Sequence, residues 1–155
     1  MKKQLTLILF VGLLTPLAAQ APAGFSYWSS ADIRKVESGM PAKAKASPLK
    51  IASQDLAKWG NHWASMTHRE ADGEGELHAT VADIFVAQSG EATLVVGGTI
   101  AGAHEVSKGE VRGKTIEGGE RHKLMPGDIV HIAENTPHQL LVPKSFTYFV
   151  IKVTK

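Results

Sequence analysis

The sequence predicts one all-β domain, a closed or sandwiched set of short strands, preceded by a short helix. Three observations carry that expectation. Two apolar, strand-like blocks dominate the chain: GELHATVADIFVAQSGEATLVVGG from Gly75, and LMPGDIVHIAENTPHQLLV ending at Val142. Turn-forming residues recur every eight to twelve positions or so, the texture of an all-β sandwich or barrel. The 155 residues suffice for one core, not two.

Residues 1–19 are expected to be a secretory signal peptide. Lys2 and Lys3 form a charged start, Leu5 to Leu14 an apolar run too short for a membrane span, and Ala18, Ala19 and Ala21 supply small residues. Cleavage after Ala19 avoids Pro22, and implies a periplasmic or secreted protein with no membrane attachment afterwards. The chain has no cysteine, which excludes disulfides, a lipid-anchor cysteine and a thiol nucleophile. Without Lys2 and Lys3, fifteen basic residues balance fifteen acidic ones. No basic stripe remains to suggest nucleic acid.

Residues 20–48 read as an N-terminal arm. Ser29 or Ser30 is placed to cap a helix, with Asp32 in its first turn, Ile33 and Val36 as its apolar face, and Gly39 followed by Pro41 as its stop. Such a short helix needs packing to persist, and is expected to cover an open end of the following domain. Ala42 to Pro48 reads as linker.

Residues 49–155 read as the barrel domain. His62 to Arg69 alternates, and Ala71-Asp72-Gly73-Glu74 carries a hairpin signal that would set Arg69 opposite Glu76 and Thr67 opposite His78. Asp83 to Val86 and Thr93 to Val96 follow as strands around a turn at Ser89-Gly90. Thr99 to Arg121 is charged, glycine-spaced and loop-like, suited to covering the barrel mouth. Lys123 to Ile132 and His138 to Val142 resume strand texture. Phe146 to Val153 makes a terminal strand, expected at an edge where a second copy of the chain could pair.

The wording PGDIVHIAENTPHQ resembles the second motif of the cupin superfamily, G-x5-P-x-G-x2-H-x3-N. It maps without gaps onto Gly127, Ala133, Asn135, His138 and Val142, with the glycine and histidine matching. Asn135 replaces a glycine and itself tolerates a left-handed turn. The first motif, G-x5-H-x-H-x3-4-E-x6-G, is met by Glu76 in place of its first histidine, then His78, Asp83 and Gly90. The resemblance spans about half of the chain. It implies a jelly-roll β-barrel with a metal ligand at His138.

Glu76 and His78 are two apart on a strand and share a face; Asp83 and His138 must arrive from other strands. Two imidazoles and a carboxylate suit iron, manganese or zinc, so a divalent metal is the expected cofactor. The candidate ligands are His78, Asp83 and His138, with His122 as a further ligand or hydrogen-bond partner of one. Glu76 is the candidate catalytic base or a further ligand, and has another reading as the ion-pair partner of Arg69. Arg69, Arg112 and Arg121 are candidates for receiving an anionic molecule. Three functions stay open: a metal-dependent oxygenase or isomerase acting on a small organic molecule, a non-catalytic module holding a sugar, an aromatic compound or a metal, and a metal-free structural cupin. No serine sits in a nucleophile elbow, and neither Gly97-Gly98 nor Gly118-Gly119 precedes a helical pattern as a phosphate loop would.

Overall fold

A computed structural model describes residues 21–155; the expected signal peptide lies outside the described residues. The chain forms helix α1 (Ser30–Ala46), then β1 (Ile51–Trp59), β2 (His62–Arg69), β3 (Gly75–His78), β4 (Val81–Gly90) and β5 (Ala92–Val96). It continues through β6 (Thr99–Ala101), β7 (His104–Ser107), β8 (Glu110–Gly113) and β9 (Thr115–Glu117). The last strands are β10 (Glu120–Leu124), β11 (Ile129–Ile132), β12 (His138–Leu141) and β13 (Phe146–Thr154). Two antiparallel sheets face each other, ordered β1-β2-β13-β4-β11 and β10-β5-β12-β3-β8-β7, with β6-β9 as a small third.

The helix begins where the sequence says. The Ser29 hydroxyl accepts from the Asp32 backbone N–H, and the Asp32 carboxylate accepts from that of Ser29, closing a capping box. It does not stop at Gly39 or Pro41 but runs to Ala46, so most of the expected linker is helical. An interior proline removes a hydrogen bond and costs about 3 kcal/mol. Burial offsets that cost: Met40 and Ala44, one turn apart, are both fully buried against Ala52 and Met66. The inward positions of β2 are Trp63, Ser65, Thr67 and Arg69, which line the internal cavity. Met66 points the other way, so α1 covers the outer face of the five-stranded sheet, not a barrel end. A hydrogen bond of 2.5 Å from Ser89 Oγ to Glu37 Oε1 ties it down.

The hairpin expected at Asp72-Gly73 is absent: β2 and β3 belong to different sheets. The chain crosses there from one sheet to the other. Val142 N donates to Asp72 Oδ1 at 2.6 Å, and Gly73 N to Leu140 O at 2.8 Å, so β12 and its end hold the crossing. Non-local pairing outweighs a local turn signal. Thr99 to Arg121 is likewise not a loop, since it supplies β6 to β9 and the start of β10. Nor is Phe146 to Val153 an edge. β13 lies between β2 and β4, with its hydrogen bonds satisfied on both sides.

Along β13 the inward positions run Phe146, Tyr148, Val150, Lys152. The first three join Phe85, Leu94, Leu140 and Val142 in the main core cluster. Lys152 takes the same alternation past the apolar packing into a charged region. Apolar core therefore fills part of the barrel and leaves beside it a cavity of about 250 Å³ lined by both charged and apolar side chains.

Candidate metal centre

The site is assembled almost wholly from cross-strand partners. In the six-stranded sheet, Glu76 of β3 stands directly opposite His138 of β12 on one side and Arg112 of β8 on the other. His78, two residues on and on the same face, stands opposite Glu110 of β8. In the facing sheet Asp83 of β4 is paired with Lys152 of β13. Closing the sheets brings the two groups together. His78, Asp83 and His138 are all buried, with residue exposures of 4 %, 2 % and 4 %.

Hydrogen bonds fix both imidazoles. His138 Nδ1 lies 2.9 Å from the Thr136 carbonyl, which only accepts, so this nitrogen carries the proton. His78 Nδ1 lies 2.6 Å from Glu110 Oε2 and donates to that carboxylate in the same way. In the neutral rings each Nε2 therefore presents a lone pair toward the interior, held in orientation by the other nitrogen. His78 Nε2 is 3.4 Å from Asp83 Oδ2 and 3.7 Å from Glu76 Oε2, and His138 Nε2 is 3.5 Å from Asp83 Oδ2. Donors around a tetrahedral ion with bonds of ~2.0 Å stand about 3.3 Å apart. The spacing fits.

One cation is already part of the chain. Lys152 Nζ donates to Asp83 Oδ1 at 2.7 Å, to Asp83 Oδ2 at 2.9 Å and to His78 Nε2 at 3.0 Å. All three of its protons are used. Burial alone would raise the Asp83 carboxyl; the His138 and His78 rings beside it and the Lys152 ammonium override that and hold it far below the usual range. Burial pulls the His78 pKa down, and Lys152 adds to that. The carboxylates of Asp83 and Glu110 outweigh both, so the net shift is upward.

Glu76 is gripped from two sides, with Arg69 Nη2 3.4 Å from one oxygen and Arg112 Nη2 3.4 Å from the other. The expected Arg69–Glu76 contact exists, made across the barrel interior and not along a hairpin. Arg69 Nε also donates to the buried Tyr148 hydroxyl at 3.1 Å. Glu76, His78 and His138 form the group whose ligand atoms all lie within 4.8 Å of one another.

No protein-family model and no curated protein matches the sequence. Solved structures do match the fold. KdgF from Halomonas sp. is 14% identical, with 70% of this chain and 82% of that one covered and a TM-score of 0.51. A cupin superfamily protein from Desulfitobacterium hafniense is 13% identical over 68% of this chain and 78% of that one, with a TM-score of 0.50. The cupin domain of Cnp3 from Schizosaccharomyces pombe is 8% identical over 68% and 66%, also at 0.50. This is the cupin fold.

Within the cupin barrel, Asn135 occupies the motif's glycine position with φ +58°, the left-handed conformation that position requires. Its backbone N–H donates to the His78 carbonyl at 2.8 Å, and its side chain to that of Ala79 at 3.2 Å. The turn before His138 is thus fastened to the strand bearing His78. His122 does not reach the centre. It sits half-exposed on β10, its Nε2 3.5 Å from Glu120, beside a separate surface hollow that His131 also lines. His104 is exposed on β7.

Sequence reasoning missed Lys152, Glu110 and Gln139. Buried Gln139 accepts from Thr115 and Ile116 and donates to Gly73 O at 2.7 Å, stitching the crossing to β9. Lys152 was legible in principle: in FTYFVIKV it holds the inward register of Phe146, Tyr148 and Val150, where a charge needs a partner.

Proposed function

We propose that this chain binds one divalent metal at His78, His138 and Glu76, with Asp83 as the remaining donor, and holds a small anionic or hydroxylated molecule beside it. The observation that carries this is the pair of buried imidazoles. Each has its Nδ1 proton committed elsewhere and its Nε2 turned toward one point shared with a carboxylate. Nitrogen and carboxylate donors of this kind accept iron, manganese or zinc. A bound ion would supply Lewis acidity toward a substrate oxygen, or dioxygen activation if it is iron.

The chain's own groups do the rest. Glu110 orients His78, and Thr136 orients His138. Arg69 and Arg112 hold the Glu76 carboxylate, and Arg69, Tyr148 and Lys152 line the 250 Å³ cavity with positive and hydroxyl groups. A cavity of that size takes a small acid or hydroxy compound, smaller than the usual drug-sized ligand. On this reading the protein is an oxygenase- or isomerase-type catalyst, and Glu76, expected from the sequence as a base, serves as a ligand steadied by Arg69 and Arg112. It works in the periplasm or outside the cell once residues 1–19 are removed.

A second reading is a metal-free binding module, favoured by the Lys152 ammonium that already satisfies Asp83 and His78. Elemental analysis of protein purified without chelator separates the two. About one equivalent of iron, manganese or zinc per chain is expected, falling to background in His78→Ala. Wild-type protein that takes up no metal supports the module.

A further inference from the structure

We propose that Lys152 is a displaceable internal cation, so that metal enters this site only by exchange with its ammonium. The inference rests on the metal reading above and specifies how the site is loaded. Its basis is a conflict over one lone pair. Neutral His78, with Nδ1 donating to Glu110, has a single acceptor position at Nε2, and Lys152 Nζ occupies it at 3.0 Å. A metal ion bound to that nitrogen would need the same lone pair. The ammonium and the ion cannot both have it, and two unshielded cations so close would repel. Asp83 poses the same conflict, since both of its oxygens accept from Lys152.

The chain provides for the exchange. Lysine is a compact charge on a flexible four-carbon stem. The Lys152 side chain is 23% exposed and opens onto the cavity, where Asp55 is a further acidic group on the wall. Asp83 is 3% exposed and stays in place. In the free protein Lys152 neutralises a buried carboxylate that would otherwise be costly. In the loaded protein the ion takes over that task, and the released ammonium faces the ligand cavity as an anion-binding group. Lys152 therefore sets metal affinity without being a ligand.

The test uses zinc as the probe, titrated calorimetrically into chelator-stripped wild type and Lys152→Met, with pulse acetylation of the wild type read by mass spectrometry. Lys152→Met is expected to bind zinc about tenfold tighter or more, having no ammonium to expel. In the wild type, acetylation of Lys152 is expected to rise severalfold on adding zinc, which needs no variant to fold. Equal affinities, or Lys152 reactivity unchanged by bound zinc, overturn the exchange and leave the metal reading standing. Zinc binding to neither protein overturns both.

Discussion

His138→Ala is expected to lower affinity for divalent metal a hundredfold or more, and to leave the barrel folded. Loss of a partner behind a ligand costs about 10- to 100-fold, and loss of a ligand itself exceeds that. Glu110→Gln measures the lesser effect, because it weakens the bond that holds His78 without touching Nε2. His122→Ala should change nothing, since that residue lies on a different surface beside Glu120. Competition titrations against a chromophoric chelator check all three. Equal losses in His122→Ala and His138→Ala would show that the ion sits elsewhere.

The second large effect is on stability. Asp83→Asn should destabilise the metal-free protein by about 3–5 kcal/mol, because it strands the Lys152 ammonium beside His78 without its counter-charge. Combining it with Lys152→Met should cost less than the two single changes added together. The Asp83 carboxyl is held below its unfolded value, so its contribution is complete above that value, about 3.9, and is lost as pH falls further. His78 acts in the opposite direction. Its pKa is raised, so its contribution is present below about 6.5 and lost as pH rises through the folded value. Urea melts of metal-free protein from pH 3 to 8 should therefore show a loss of stability below about pH 4 in the wild type that Asp83→Asn lacks. Parallel profiles would place the acid sensitivity in other carboxylates.

How much of this was visible in the sequence depends on whether a feature is local. The Ser29–Asp32 cap and the left-handed Asn135 are short-range matters of backbone chemistry, and each reads directly from neighbouring residues. The shared face of Glu76 and His78 follows from strand alternation alone. The Asp72-Gly73 turn misled because hairpin chemistry is local while the pairing of β3 with β12 and β8 spans much of the chain. Pro41 misled for a related reason: burial of Met40 and Ala44 against the sheet outweighs a helix breaker. Glu110 was hidden in a glycine-spaced, charged stretch that resembles a loop until it pairs with β3, and the pairing that sets Arg112 opposite Glu76 was hidden with it. The grouping of Asp83 with metal ligands was reasonable by motif. The sequence pattern does not say that its strand partner is a lysine.

The central claim is that two imidazoles converge on one ion inside the barrel. X-ray absorption of the zinc-loaded wild type tests it most directly. The account predicts two imidazole nitrogens and at least one carboxylate oxygen at about 2.0–2.2 Å. A shell of oxygens alone, or with a single imidazole, would contradict it.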